Sequence, residues 1–139
     1  MSALDAFLNP KYAEATREVV VSDRFIDPET NKPVPFVLRT LKQSEKSKIR
    51  KRSIVTNDAG GQKYNEVDND AFLARCIVEA CVSPDLKSAE LSKKYGLIAP
   101  DDVLREMLLG VEYERLAKAF MELNIMDDDS VEFGEVTKK

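Results

Sequence analysis

Apolar and polar positions along the chain follow two different periods, one of two residues near the start and one of three to four after it. Val19, Val21 and Phe25 alternate with polar or less apolar positions in Glu18-Val-Val-Val-Ser-Asp-Arg-Phe25, and Val34, Phe36 and Leu38 alternate with Pro35, Val37 and Arg39. Asp27-Pro-Glu-Thr-Asn-Lys-Pro33 between them is dense in turn formers. The two runs therefore predict a β-hairpin with one buried face. A lone hairpin is marginal in water, so the rest of the chain must cover it.

The helical period supplies that cover. Leu4, Phe7 and Leu8 form one short face before Asn9-Pro10 stops the run, which predicts a loosely attached N-terminal arm. Thr40-Leu-Lys-Gln43 fits a capping box that opens a charged helix ending near Ser53. From Asn69, the residues Leu73, Cys76, Ile77 and Ala80 share one helical stripe, widened by Phe72. Ser83-Pro84-Asp85 reads as a helix cap, and a short helix near Ser88 to Tyr95 is stopped by Gly96. Pro100, Asp101 and Asp102 open another helix, presenting Val103, Leu104, Met107 and Leu108. The last, after Gly110, carries Tyr113, Leu116, Ala117, Phe120, Met121 and Leu123 and ends near Asn124. Thr56 to Lys63, with two glycines, offers little to bury and reads as a mobile loop. Residues 127–139 open with three aspartates and keep no period, which predicts a flexible acidic tail. The expectation is an α+β, mainly helical fold: an N-terminal β-hairpin followed by four or five short helices, in one domain over residues 1–126.

Composition narrows the chemistry. The 139 residues are 43% hydrophobic, enough for a core closed without disulfides or metal. No apolar run approaches the roughly 20 residues that cross a bilayer, and the start lacks the basic flank of a signal peptide, so a cytoplasmic location is expected and no membrane partner. The absence of histidine removes Ser/His/Asp triads, Cys/His pairs and most zinc sites. Cys76 and Cys81, five apart, point about 140° from each other on a helix and read as ordinary thiols of a reducing compartment. Gly60-Gly61-Gln62-Lys63 lacks the spacing of a phosphate loop. A calcium loop counted from Asp127 would need glycine and glutamate where Glu132 and Lys138 stand. Asp68 with Asp70, and Asp101 with Asp102, fall at predicted helix starts, where acids are favoured without catalytic work. No catalytic, metal-ligating or cofactor-binding residue emerges, and the expected class is a non-enzyme without cofactor.

Charge is distributed unevenly. The net charge is −4, yet residues 1–66 hold 12 basic and 9 acidic residues against 9 and 16 in residues 67–139. Arg39 to Arg52 carries seven cations and one acid. Such a segment attracts an acidic partner or nucleic acid. The absence of any aromatic residue between Leu38 and Gln62 removes a stacking platform and makes a nucleic-acid-binding regulator using residues 39–52 the second reading.

The order of these pieces resembles the XkdN-like family of phage tail assembly chaperones. The residues carrying the resemblance are Val21-Ser-Asp-Arg-Phe25; Val34-Pro-Phe-Val-Leu-Arg39 followed by a charged helix with Glu45; Cys81-Val-Ser-Pro-Asp-Leu86; Glu90-Leu-Ser-Lys-Lys-Tyr-Gly96; and Met107-Leu-Leu-Gly-Val-Glu-Tyr-Glu-Arg-Leu116. The resemblance implies a phage or prophage protein of the bacterial host cytoplasm, absent from the mature virion. It implies binding of the tape measure protein, and contact with the tail tube protein, without catalysis. On that reading Leu108, Tyr113, Leu116 and Phe120 are expected to form an apolar contact, with Met107 and Met121 as adaptable walls, while Arg50 and Arg52 steer an acidic partner. Self-association is compatible with the same pattern.

Overall fold

Strand β2 (Phe36–Arg39) buries Phe36 and Leu38 and leaves Val37 and Arg39 half-buried, the alternation its sequence shows. In the computed structural model, which describes residues 3–10 and 15–124, β2 is the centre of a three-stranded antiparallel sheet. Strand β1 (Thr16–Val19) lies on one side, with Thr16 opposite Arg39 and Val19 opposite Phe36. Strand β5 (Cys81–Ser83) lies on the other, across an irregularity between Val37 and Leu38. The N-terminal hairpin is thus present, with its first strand placed earlier than the alternation through Phe25 suggested. Beyond Val19 the two arms are held by Val34 N–H donating to Phe25 O at 2.7 Å and by a bridge between Ile26 and Pro33.

Helix α3 (Asn69–Ala80) covers the sheet. The Asp68 carboxylate caps it by accepting from Ala71 N–H at 3.2 Å, and Ala71, Ala74, Cys76, Ile77, Val78 and Ala80 are buried. Helices α2 (Gln43–Arg52), α5 (Pro100–Met107) and α6 (Gly110–Asn124) pack around it, and α6 also lies on β1 and β2. Helix α4 (Ala89–Tyr95) begins at Ser88, whose hydroxyl accepts from Glu90 N–H, and ends at Gly96, where φ of +69° favours glycine. Leu38, Ile49, Ile77, Leu104, Leu116 and Phe120 form the centre of the core. The mixed, mainly helical α+β architecture read from the sequence is the one observed.

Four local expectations need correction. The charged helix starts at Gln43 with Lys42 at its N-cap, two residues later than a Thr40 cap would start it, because Arg39 to Leu41 is tied down elsewhere: Thr40 N–H donates to Ala15 O, and the Asn124 side chain bonds Leu41 N–H and Arg39 O. Glu45 instead accepts from Lys42 N–H at 2.8 Å. Ser83-Pro84-Asp85 is not a helix cap; Ser83 closes β5, a cis peptide joins it to Pro84, and Asp85 accepts from Lys87 N–H in a turn. Cys81 stands on β5 rather than on the helix of Cys76, so the 140° argument does not apply; both thiols are free. The expected mobile loop is an ordered two-stranded ribbon, β3 (Ile54–Ala59) paired with β4 (Gln62–Val67) from Ile54 opposite Val67 to Ala59 opposite Gln62. Its turn is Gly60-Gly61, with φ of +62° and +86°, the positive values that a two-residue hairpin turn requires.

Helix α1 (Ala3–Leu8) buries no residue. The predicted acidic tail and its three aspartates lie outside the described residues.

Candidate interaction surface

Two phrases far apart in sequence meet at the corner between α5 and α6. Arg24 reaches across from the Val21–Phe25 segment and donates from Nε and Nη2 to the two carboxylate oxygens of Glu112, at 2.8 and 2.6 Å. Its Nη2 also donates to Met107 O, while Leu109 N–H donates to Glu112 at 2.8 Å. The guanidinium lies 4.9 Å over the Phe25 ring. Arg24 above all holds the Glu112 carboxyl at about 2, assisted by hydrogen bonds from Ser22 and Leu109 N–H. Arg115 completes the corner by donating to Val21 O at 2.8 Å. Asp101, also buried, bonds Arg105 at 2.9 Å and faces Arg75 at 3.5 Å. Glu112 is therefore held as a carboxylate, and both it and Asp101 are committed to arginines, which suits locking the fold.

The sequence-predicted contact residues divide sharply. Leu116 and Phe120 are 0% and 1% exposed, and Leu108 is also in the core, so none of the three offers surface. The physical reason is that the stripe on α6 is consumed by α3 and the sheet. Tyr113 is half-buried against the same cluster, and burial raises its hydroxyl pKa. Met107 is buried as well, whereas Met121 is exposed. Arg50 and Arg52 are exposed on α2, and Arg50 covers the ring of Phe72 at 4.5 Å.

Three features of the surface remain as candidates for contact. The first is the cationic side of α2, where Lys42, Lys48, Arg50, Lys51 and Arg52 are exposed and only Ile49 is buried. The second is a shallow depression of about 380 Å³ on the outer flank of α6, lined by Glu114, Ala117, Lys118, Met121 and Glu122. The third is α1, whose Leu4, Phe7 and Leu8 are 62%, 81% and 64% exposed. A smaller hollow of about 100 Å³ between α2, α3 and α5 is lined by Arg52, Arg75, Glu79, Lys87 and Asp101, charges that largely pair with one another. Burial pushes the Cys81 thiol up to about 12 and raises that of Cys76, which leaves both weak nucleophiles near neutral pH. No described helix is long and apolar enough to cross a membrane. The arrangement can bind through charge and apolar area; Arg24 and Glu112 are the residues the sequence reading missed, since neither carries a local signal of its partner.

Comparison with known proteins agrees with this layout. The family described as phage XkdN-like tail assembly chaperone protein matches residues 4–137. The Bacillus subtilis protein YqbN is 32% identical over 123 residues, covering 87% of this chain and 82% of that protein. The XkdN protein of the phage-like element PBSX, also from Bacillus subtilis, is 28% identical over 138 residues, covering 97% and 93%. A crystal structure of YqbN superposes with a TM-score of 0.72 at 28% identity, over 88% of this chain and 96% of that one.

Proposed function

The chain belongs to the family of XkdN-like phage tail assembly chaperones, and from that premise we propose that it acts in the host cytoplasm by holding the tape measure protein soluble until the tail tube encloses it. It works by reversible binding, without catalysis, contacts the tail tube protein as the assembly grows, and is left behind when the particle is complete. A tape measure protein is a long helical chain, and its apolar stripes aggregate unless covered.

The single observation that carries this reading is α1, an amphipathic helix whose three large apolar side chains are covered by nothing among the described residues. Such a helix supplies apolar area to a partner helix at spacings of three and four residues. The cationic side of α2 supplies attraction to an acidic partner, in which Arg50 and Arg52 act on encounter rate more than on final affinity.

Coexpression with the tape measure protein of the same tail gene cluster tests the reading. The expected result is a several-fold rise in soluble tape measure protein, lost on replacing Leu4, Phe7 and Leu8 together by serine. Unchanged solubility in the presence of the intact chain would sink it. The exposed cations of α2 also keep the nucleic-acid reading testable: mixed DNA should then bind with an affinity falling steeply between about 50 and 200 mM salt.

A further inference from the structure

We propose that the cationic side of α2 is an interaction surface whose occupant is the chain's own acidic segment, residues 127–135. Lys48, Lys51 and Arg52 are exposed and stand within about 100° of one another around the helix, and none of the three has a carboxylate within ion-pair distance among the described residues. The helix's own acid, Glu45, is taken up by Arg39 at 2.8 Å. Unanswered charge of this density calls for a counter-charge, and the sequence holds one: Asp127, Asp128, Asp129, Glu132 and Glu135, with no lysine or arginine among residues 127–135.

Geometry places the two within reach. Asn124, the last residue of α6, accepts from Leu41 N–H at 2.6 Å and donates to Arg39 O at 3.2 Å. The chain therefore leaves α6 beside the residues that lead into α2. Ten helical residues extend about 15 Å, and nine residues of extended chain span up to roughly 30 Å, so the acidic run can lie along the whole helix. Each exposed pair is weak, but a tether this short keeps the carboxylates at millimolar effective concentration. The acidic run is then a built-in competitor of any acidic partner for Lys48, Lys51 and Arg52. This deepens the proposed role by naming what occupies the steering face before a partner arrives.

The test uses the full chain with Ser130→Cys carrying a nitroxide label. Cys76 is buried and the Cys81 thiol is held up to about 12, so labelling near neutral pH falls on residue 130. At about 50 mM salt the label should broaden the backbone amides of Lys48 to Arg52 relative to its reduced form, and at about 500 mM the broadening should vanish. Replacing Asp127, Asp128 and Asp129 together by asparagine should abolish it at the lower salt, and the same variant should bind a poly-glutamate peptide several-fold more tightly. Broadening absent at low salt, or present but indifferent to salt and to the asparagine replacements, overturns the proposal, because a passive tether alone reaches the Lys42 end regardless of charge. The measurement needs no tape measure protein, so its failure is distinguishable from failure of the chaperone reading.

Discussion

Glu112 carries the clearest energetic consequence at the level of single residues. Its pKa is held at about 2 in the folded chain, against 4.5 ordinarily, chiefly by the hydrogen bond from Arg24. Glu45 is likewise held at about 2, by Arg39 first and then by Lys42 N–H. A depressed carboxylate stabilises the fold fully above its unfolded pKa and loses that contribution as pH falls through the folded value. Stability should therefore be level near neutrality and decline between about pH 4.5 and about pH 2. Urea unfolding across that range should show Glu112→Gln starting less stable than the parent and declining less steeply, and a Glu112→Gln/Glu45→Gln chain flatter still. Equal slopes would show that these pairs are not what the acid breaks. The buried stripe of α6 behaves oppositely, with no pH dependence but a large cost. Leu116→Ala should lose about 2–5 kcal/mol and Phe120→Ala about 3–5 kcal/mol, while Arg52→Ala, exposed, should stay within about 0.5 kcal/mol. Measured by the same unfolding curves, that contrast separates core from surface before any binding result is interpreted.

Among the elements, the β3–β4 ribbon stands largely apart from the core, since it is nearly all exposed on both strands. Its order depends on the Gly60-Gly61 turn. A Cβ on Gly61 meets no atom within 4 Å, so replacement is opposed by the backbone alone, at φ of +86°. Gly61→Ala should cost the ribbon about 1–2 kcal/mol, speeding amide exchange in Ile54–Val67 and leaving α3 unchanged, as hydrogen exchange would read directly. Gly60→Asn should be tolerated far better, asparagine being suited to such turns. This ribbon also explains what sequence could and could not show. Helices α3 and α6 and the stop at Gly96 were legible because burial imposes a 3.6-residue stripe and a helix end favours glycine, whereas the cap was read at Ser83 and stands at Ser88. The ribbon buries neither face, so no alternation marks it, and the one available sign was a two-glycine turn between runs of equal length. Strand β5 is three residues long, too short for any period. Leu108, Leu116 and Phe120, buried in the core, were read as contact residues for a related reason: an apolar stripe has the same pattern whether it meets another helix of the same chain or a foreign one. Arg24 and Glu112, 88 positions apart, are joined only by the fold.

At the scale of the whole molecule, the proposed role assigns folding and holding to different parts of the chain. The core closes with the sheet, α3, α5 and α6, with Ile49 from α2 and the half-buried Leu91 and Tyr95 from α4 packed on it, whereas α1 contributes neither a buried nor a packed residue. Exposed apolar side chains that cost nothing to remove from the fold, yet sit together on one helix face, are the signature of area reserved for a partner. Serine at positions 4, 7 and 8 should thus leave unfolding stability within about 0.5 kcal/mol of the parent while reducing the soluble yield of coexpressed tape measure protein. Arg50→Glu with Arg52→Glu should act differently, slowing association with an acidic partner at about 50 mM salt and converging on the parent at about 500 mM, because screening removes steering and leaves apolar burial untouched. Stopped-flow association and urea unfolding on the same variants would separate these effects. If the serine variant unfolds several kcal/mol earlier, α1 belongs to the fold and not to the partner; if it binds as well as the parent, the apolar contact lies on another face, and the depression on α6 around Met121 becomes the surface to mutate next.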